Sequence, residues 1–197
     1  MAGYRYLYGE DSRMPLKITR DMLTLIFTYH QVMPKYLEFM FVFGAQSRPV
    51  DLRFSGFREQ TMLSNSPQCL EVEQLGRSGR QFQLCYSLKG VTMKSKHPID
   101  SQLDEWSIRQ AAFLLVFDVV YGTTLWVVTK GGKDIQQIYK DLTGAEGKAE
   151  DKEYGTIEQC FRSSLAVHLL FCYWATQDWR WYIRWMENII EDRVSIS

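Results

Sequence analysis

Residues 111–130, AAFLLVFDVVYGTTLWVVTK, constrain this chain more than any other stretch. Two apolar runs flank a break at Tyr121, Gly122 and Thr123. Both are rich in Val, Phe, Leu and Trp, and both are apolar at consecutive rather than alternate positions. A strand with one wet face alternates, whereas a strand covered on both faces does not. The stretch therefore predicts a central hairpin in a sheet with helices packed on it. It implies an architecture and carries no chemistry.

The 197 residues suffice for one domain with a sizeable core, read here as a single domain over residues 1–197. Hydrophobic residues make up 46% and aromatic residues 14%, which excludes a disordered chain. Lys plus Arg equals Asp plus Glu, 23 each. That balance argues against a nucleic-acid partner and leaves little charge repulsion to oppose self-association. Cys69, Cys85, Cys160 and Cys172 form no CxxC pair, and the first twelve residues are polar and mixed in charge. The expectation is reduced thiols in a cytoplasmic protein without a signal peptide. No apolar run reaches the ~20 residues of a membrane helix, so no direct membrane span is expected.

Along the chain, residues 1–17 read as an irregular leader, extended through Tyr4, Tyr6 and Tyr8. Thr19 is a candidate helix N-cap with Asp21 in the first turn. The stripe Met22, Leu25, Ile26, Tyr29 and Met33 predicts the buried face of that helix. Pro34 breaks it, and a short second helix follows over 35–43, ended by Gly44. Leu52, Phe54 and Phe57 point to a strand, 65–67 to a loop and 74–80 to a turn. In 81–88, Phe82, Leu84, Tyr86 and Leu88 alternate with Gln81, Gln83, Cys85 and Ser87, predicting a half-exposed strand. The polar tract 95–104 reads as a loop. Beyond the hairpin, closed by Gly131 and Gly132, a short helix is predicted over 134–142 and a mobile loop over 143–155. Helix then runs from a capping box at Thr156 and Gln159 to about Arg193. Its face is expected to be Ile157, Phe161, Leu165, His168 and Cys172, and a break is possible at 176–178. The predicted class is α+β, an α/β sandwich with a largely antiparallel central sheet and a long C-terminal helix.

No local motif declares a reaction, so no catalytic and no metal residue is assigned. His30, His97 and His168 have no ligand neighbour at metal spacing, and neither HExxH nor GxSxG is present. The turn LGRSGR at 75–80 has glycines that could bare backbone N–H groups, with Arg77 and Arg80 beside them. It lacks the Lys-Ser/Thr ending of a phosphate loop and precedes a strand, so it reads first as an inter-strand turn. Trp174, Trp179, Trp181, Tyr182 and Trp185 crowd into twelve residues, more aromatic surface than one core layer accepts. Trp174, Trp179, Trp181 and Trp185 are the candidate interface.

Five segments occur in order: FTYHQVMP at 27–34, FSGFR at 54–58, LGRSGR at 75–80 with LCY at 84–86, WSIRQ at 106–110, and WRWY at 179–182. Together they resemble the soluble N-terminal domain of fungal CorA-like, magnesium-transporter-like proteins, over about residues 15–193. The resemblance implies a cytoplasmic sheet-and-helix domain ahead of a long helix and membrane segments. It also implies assembly as a pentamer and regulation by Mg²⁺ held between subunits by acidic residues. No regulatory carboxylate maps onto a named position, and the Gly-Met-Asn pore signature is absent.

Two functions are therefore expected. One is a non-catalytic regulatory or interaction domain without a pore, partnered by copies of itself or by the remainder of a longer membrane protein, with no cofactor beyond weak Mg²⁺ binding by carboxylates. The other is a stand-alone small-molecule-binding protein, or a cofactor-independent enzyme, with an aromatic-lined pocket between sheet and helices. Tyr29, His30, Tyr86, Arg109 and Trp126 are the candidate pocket residues. A shared cavity with a shifted histidine favours the second function, and a filled core with an outer apolar patch favours the first.

Overall fold

The hairpin predicted over 111–130 lies at the centre of a five-stranded sheet. The computed structural model describes residues 2–9, 14–44, 55–64, 71–93, 106–131 and 134–195. In chain order these form β1 (Ala2–Gly9), α1 (Arg20–His30), α2 (Tyr36–Met40), β2 (Phe57–Met62), β3 (Gln81–Met93), β4 (Trp106–Asp118) and β5 (Thr124–Gly131). Then come α3 (Asp134–Thr143), α4 (Ile157–Thr176) and α5 (Trp179–Ser195). The strand order is β1-β5-β4-β3-β2, antiparallel except for β1, which runs parallel to β5. The expected loops at 65–67 and 95–104, with Leu52, Phe54, Cys69 and His97, lie outside the described residues.

The consecutive apolar run of β4 divides between two layers. Ala112, Leu114 and Val116 pack with Leu125 and Val127 of β5 beneath α1 and α2. Ala111, Phe113 and Leu115 pack with Trp126 and Val128 beneath α3 and α4. The second layer is aromatic, with Phe113 stacked between Phe171 at 4.4 Å and Tyr86 at 5.2 Å between ring centroids. Trp174 closes that layer over Gly90, where a β-carbon would come within 3.2 Å of the indole. Its Nε1 donates to Asp134, which also accepts from the buried Lys130, tying β5, α3 and α4 together. Burial lowers the Lys130 pKa, opposed by the Asp134 charge.

Several expectations are corrected. The leader is not irregular: residues 2–9 pair with the edge of β5, Tyr6 turning to the aromatic layer and Leu7 to the opposite one. Helix α1 does start at Thr19, whose Oγ1 accepts from the Met22 N–H. It stops at His30, before Pro34, because Gln31 takes a left-handed conformation (φ 51°) that closes the helix. The predicted stripe faces outward at Met22, Leu25 and Tyr29, and the helix packs through Leu23 and Phe27. Strand β3 is not half-exposed. Gln81, Gln83 and Cys85 are buried beneath the first helical layer, because the Gln83 amide satisfies the chain between α1 and α2. Its Oε1 accepts from the Met33 N–H at 2.8 Å and its Nε2 donates to the Gln31 carbonyl at 2.8 Å.

The tract at 143–155 is tied back by Lys152, which donates to the Gly144 carbonyl, and by the Glu153 carbonyl, which accepts from Ser163. Helix α4 begins with the predicted capping box. Its buried face is Cys160, Ser163, Ser164, Val167, Phe171 and Trp174; Phe161 sets its ring edge-on against Phe117 and Phe82, while Ile157 and Leu165 are exposed. Helicity breaks at Gln177 and Asp178, the latter at φ 63°, before resuming in α5.

Replacing Gln83 by Leu keeps the volume but leaves a buried N–H and C=O unpaired. The expected loss is about 1–3 kcal/mol in urea unfolding, with α1 loosened first. An unchanged midpoint and unchanged α1 exchange would contradict this role.

Candidate functional site

The end of the sheet nearest the β4–β5 turn carries a second, smaller turn docked against it. Residues 72 and 77 pair as an isolated bridge, with Glu73–Leu75 in a 3-10 turn between them. Gly76 closes it at φ 61°, where a β-carbon would meet Thr123 Cγ2 at 2.8 Å, so glycine is required on both counts. Thr123 Oγ1 donates to the Gly76 carbonyl at 2.7 Å. Asp118 anchors the other side: its carboxylate accepts from the Ser78 N–H and hydroxyl and from the Val120 and Tyr121 N–H groups.

This clamp places Arg77 over the C-terminus of α1. Its guanidinium lies 4.7 Å from the Tyr29 ring centroid, and its Nη2 is 3.5 Å from His30 Nδ1. A guanidinium can only donate, so this contact makes Nδ1 the acceptor and leaves the ring proton on Nε2. Between α1, the clamp and the sheet is a cavity of about 300 Å³. Tyr29, His30, Leu75 and Arg77 form its outer rim. Val116, Leu125, Gln81, Thr124 and Asp118 line it from the sheet, and Arg5 and Thr123 complete it. Burial, and then the charges of Arg5 and Arg77, hold the His30 pKa down at about 4.

The five pocket candidates do not share this cavity. Tyr29 and His30 line it. Tyr86 and Trp126 lie on the other side of the sheet in the aromatic layer, where the Tyr86 hydroxyl meets His168 Nδ1 at 2.9 Å. Burial raises the Tyr86 pKa and lowers that of His168. Arg109 is half-buried at the far end of β4, opposite Gly90, and its charge acts on Lys130. The cavity also draws on Arg5, Gln81 and Thr124, which no local spacing singles out. Arg77 was legible only as one basic residue of a Gly-rich turn, and Arg80 points elsewhere, donating to the Leu63 carbonyl.

The four interface tryptophans also separate. Trp174 is buried within the chain. Trp179 and Trp185 flank Tyr182, which meets Trp106, so these rings join α5 to the start of β4. Trp181 is exposed. Ile183, Met186, Ile190 and Val194 are exposed along another side of α5, which has no buried residue. On α4, Ile157, Phe161, Leu165, Leu169 and Tyr173 are exposed at intervals of four, one ridge along a helix.

The chain matches the CorA-like transporters over residues 3–196 and belongs to that family. No curated protein and no solved structure matches it. Among the described residues, no helix is long and apolar enough to cross a membrane. Among the described residues, no three His, Cys, Asp or Glu side chains converge as a metal-ligand group.

The histidine environment gives a pH test. Unfolded His30 takes up its proton near pH 6.5, but folded His30 does so only near pH 4. Stability is therefore full above pH 6.5 and falls as pH drops toward 4, with His168 contributing in the same direction. Urea midpoints across this range should decline on acidification, and His30→Gln should flatten the slope. A flat wild-type profile would contradict the assignment.

Proposed function

We propose that this chain is a non-catalytic regulatory domain of CorA-like type that works by assembly with copies of itself on the cytoplasmic side of a membrane. The observation that carries the reading is the exposed apolar surface of α4 and α5. Leu169 is 67% exposed, Tyr173 63% and Ile190 57%, values that leave most of each side chain in water. Such a ridge is favourable only when covered, at roughly 25 cal/mol per Å² of apolar surface removed from water. The zero net charge of the chain adds no long-range repulsion between copies.

The alternative, a stand-alone small-molecule-binding protein or cofactor-independent enzyme, has in its favour the cavity beside Tyr29 and His30. The two readings are compatible, because the cavity and the ridge are on opposite sides of the sheet.

Sedimentation equilibrium tests the assembly. The wild-type chain is expected to show a concentration-dependent mass above 23.2 kDa. Leu169→Glu with Ile190→Glu, both at exposed positions, should weaken association at least about tenfold without changing the circular dichroism. A wild-type chain that stays monomeric at high concentration would sink the proposal.

A further inference from the structure

We propose that the cavity between the end of α1, the Gly76 clamp and the sheet is a binding site for a small organic anion, one bearing a carboxylate or phosphate group on a short carbon skeleton. The inference rests on the ligand-binding reading and is independent of assembly.

One polar side chain at the cavity is more than nine-tenths buried and has an atom with no hydrogen-bond partner: Gln81 Nε2, on the sheet face that carries Val116 and Leu125. A buried amide N–H left unpaired is unfavourable. An occupant that accepts a hydrogen bond relieves it. The other polar groups are also donors. Arg77 is in no ion pair among the described residues, held by Tyr29 and His30 rather than by a carboxylate. Arg5 adds a second guanidinium, and His30 in the tautomer set by Arg77 has its Nε2–H to offer.

The Asp118 carboxylate at the cavity does not pair with the Arg77 guanidinium, because Ser78 and the backbone of the β4–β5 turn already occupy its oxygens. A cation would therefore meet the Arg77 charge and the Gln81 donor, whereas an oxyanion meets complementary groups there. Leu75, Val116 and Leu125 supply an apolar wall, which suits a carbon skeleton better than a bare ion. A cavity of about 300 Å³ is at the small end of ligand sites and excludes large nucleotides and peptides.

The site is coupled to pH. The groups facing His30 are Arg5 from β1, Arg77 from the clamp, Tyr29 from its own helix and Asp118 across the cavity. A bound anion opposes the two arginines, so it raises the His30 pKa from about 4, and binding tightens as pH falls through that raised pKa toward 4.

The test is a titration of the whole chain with inorganic phosphate and, separately, with succinate, at constant ionic strength set with chloride. The readouts are the side-chain amide of Gln81 and the imidazole of His30 by NMR. Saturable shifts at both residues are expected, with phosphate or succinate the tighter binder according to the headgroup preferred. Arg77→Gln should weaken binding about tenfold or more. Gln81→Met, followed at His30, separates the ligand from a trapped water. It should raise the thermal midpoint of the free protein, by removing an unpaired amide, while weakening anion binding several-fold. Three results would overturn the proposal: no saturation by either anion at millimolar concentration, shifts that chloride alone reproduces, or binding that survives both substitutions unchanged.

Discussion

From Gln110 to Asp118, strand β4 has no face in contact with water. Its backbone is paired on both edges, with β3 along its full length and with β5 over most of it. Its side chains enter two separate apolar layers on alternate residues. A charged substitution anywhere in this run would have no solvent to reach, and loss of either helical layer would expose one half of the pattern. Every other element is placed by reference to this strand: two helices on one face, two on the other, and the clamp at its C-terminal end.

The two layers do different work. The aromatic layer beneath α3 and α4 is filled by interlocking rings and a buried Lys130–Asp134–Trp174 link, and it fixes the direction of the C-terminal helices. The layer beneath α1 and α2 is braced by polar groups. The Tyr36 hydroxyl reaches Thr129 and the carbonyls of Ala112 and Val127, and the Gln83 amide holds the link between the helices. Because α1 closes at the left-handed Gln31, whose carbonyl that amide braces, its last turn ends beside the end of the sheet, next to a gap that side chains do not fill. The cavity is thus a consequence of where a helix ends.

The central hairpin, the α1 N-cap and the α4 capping box were legible in the sequence, because each depends on residues within a few positions of one another. The resemblance carried by FTYHQVMP, LGRSGR and WRWY pointed to the family that the whole-chain match then showed. What stayed hidden depends on distant partners. Strand β1 looked irregular because pairing with β5 joins residues more than a hundred positions apart. Gln81 and Gln83 looked like the wet side of a strand, since nothing local shows that an amide will be enclosed. The stripe Met22, Leu25, Tyr29 looked like a packed face, yet tertiary contacts chose Leu23 and Phe27. Of the cavity, only Tyr29, His30 and the basic turn could be singled out, because Arg5, Gln81 and Thr124 converge only in three dimensions.

Hydrogen exchange at two protein concentrations tests most directly the claim that the C-terminal helices await a second copy. In one chain α5 has no buried residue, so its amides should exchange quickly in dilute solution, while those of β4 resist. On concentration, α5 and the outer ridge of α4 should gain protection and β4 should not change. Protection of α5 that is already high in dilute solution and independent of concentration would contradict the account.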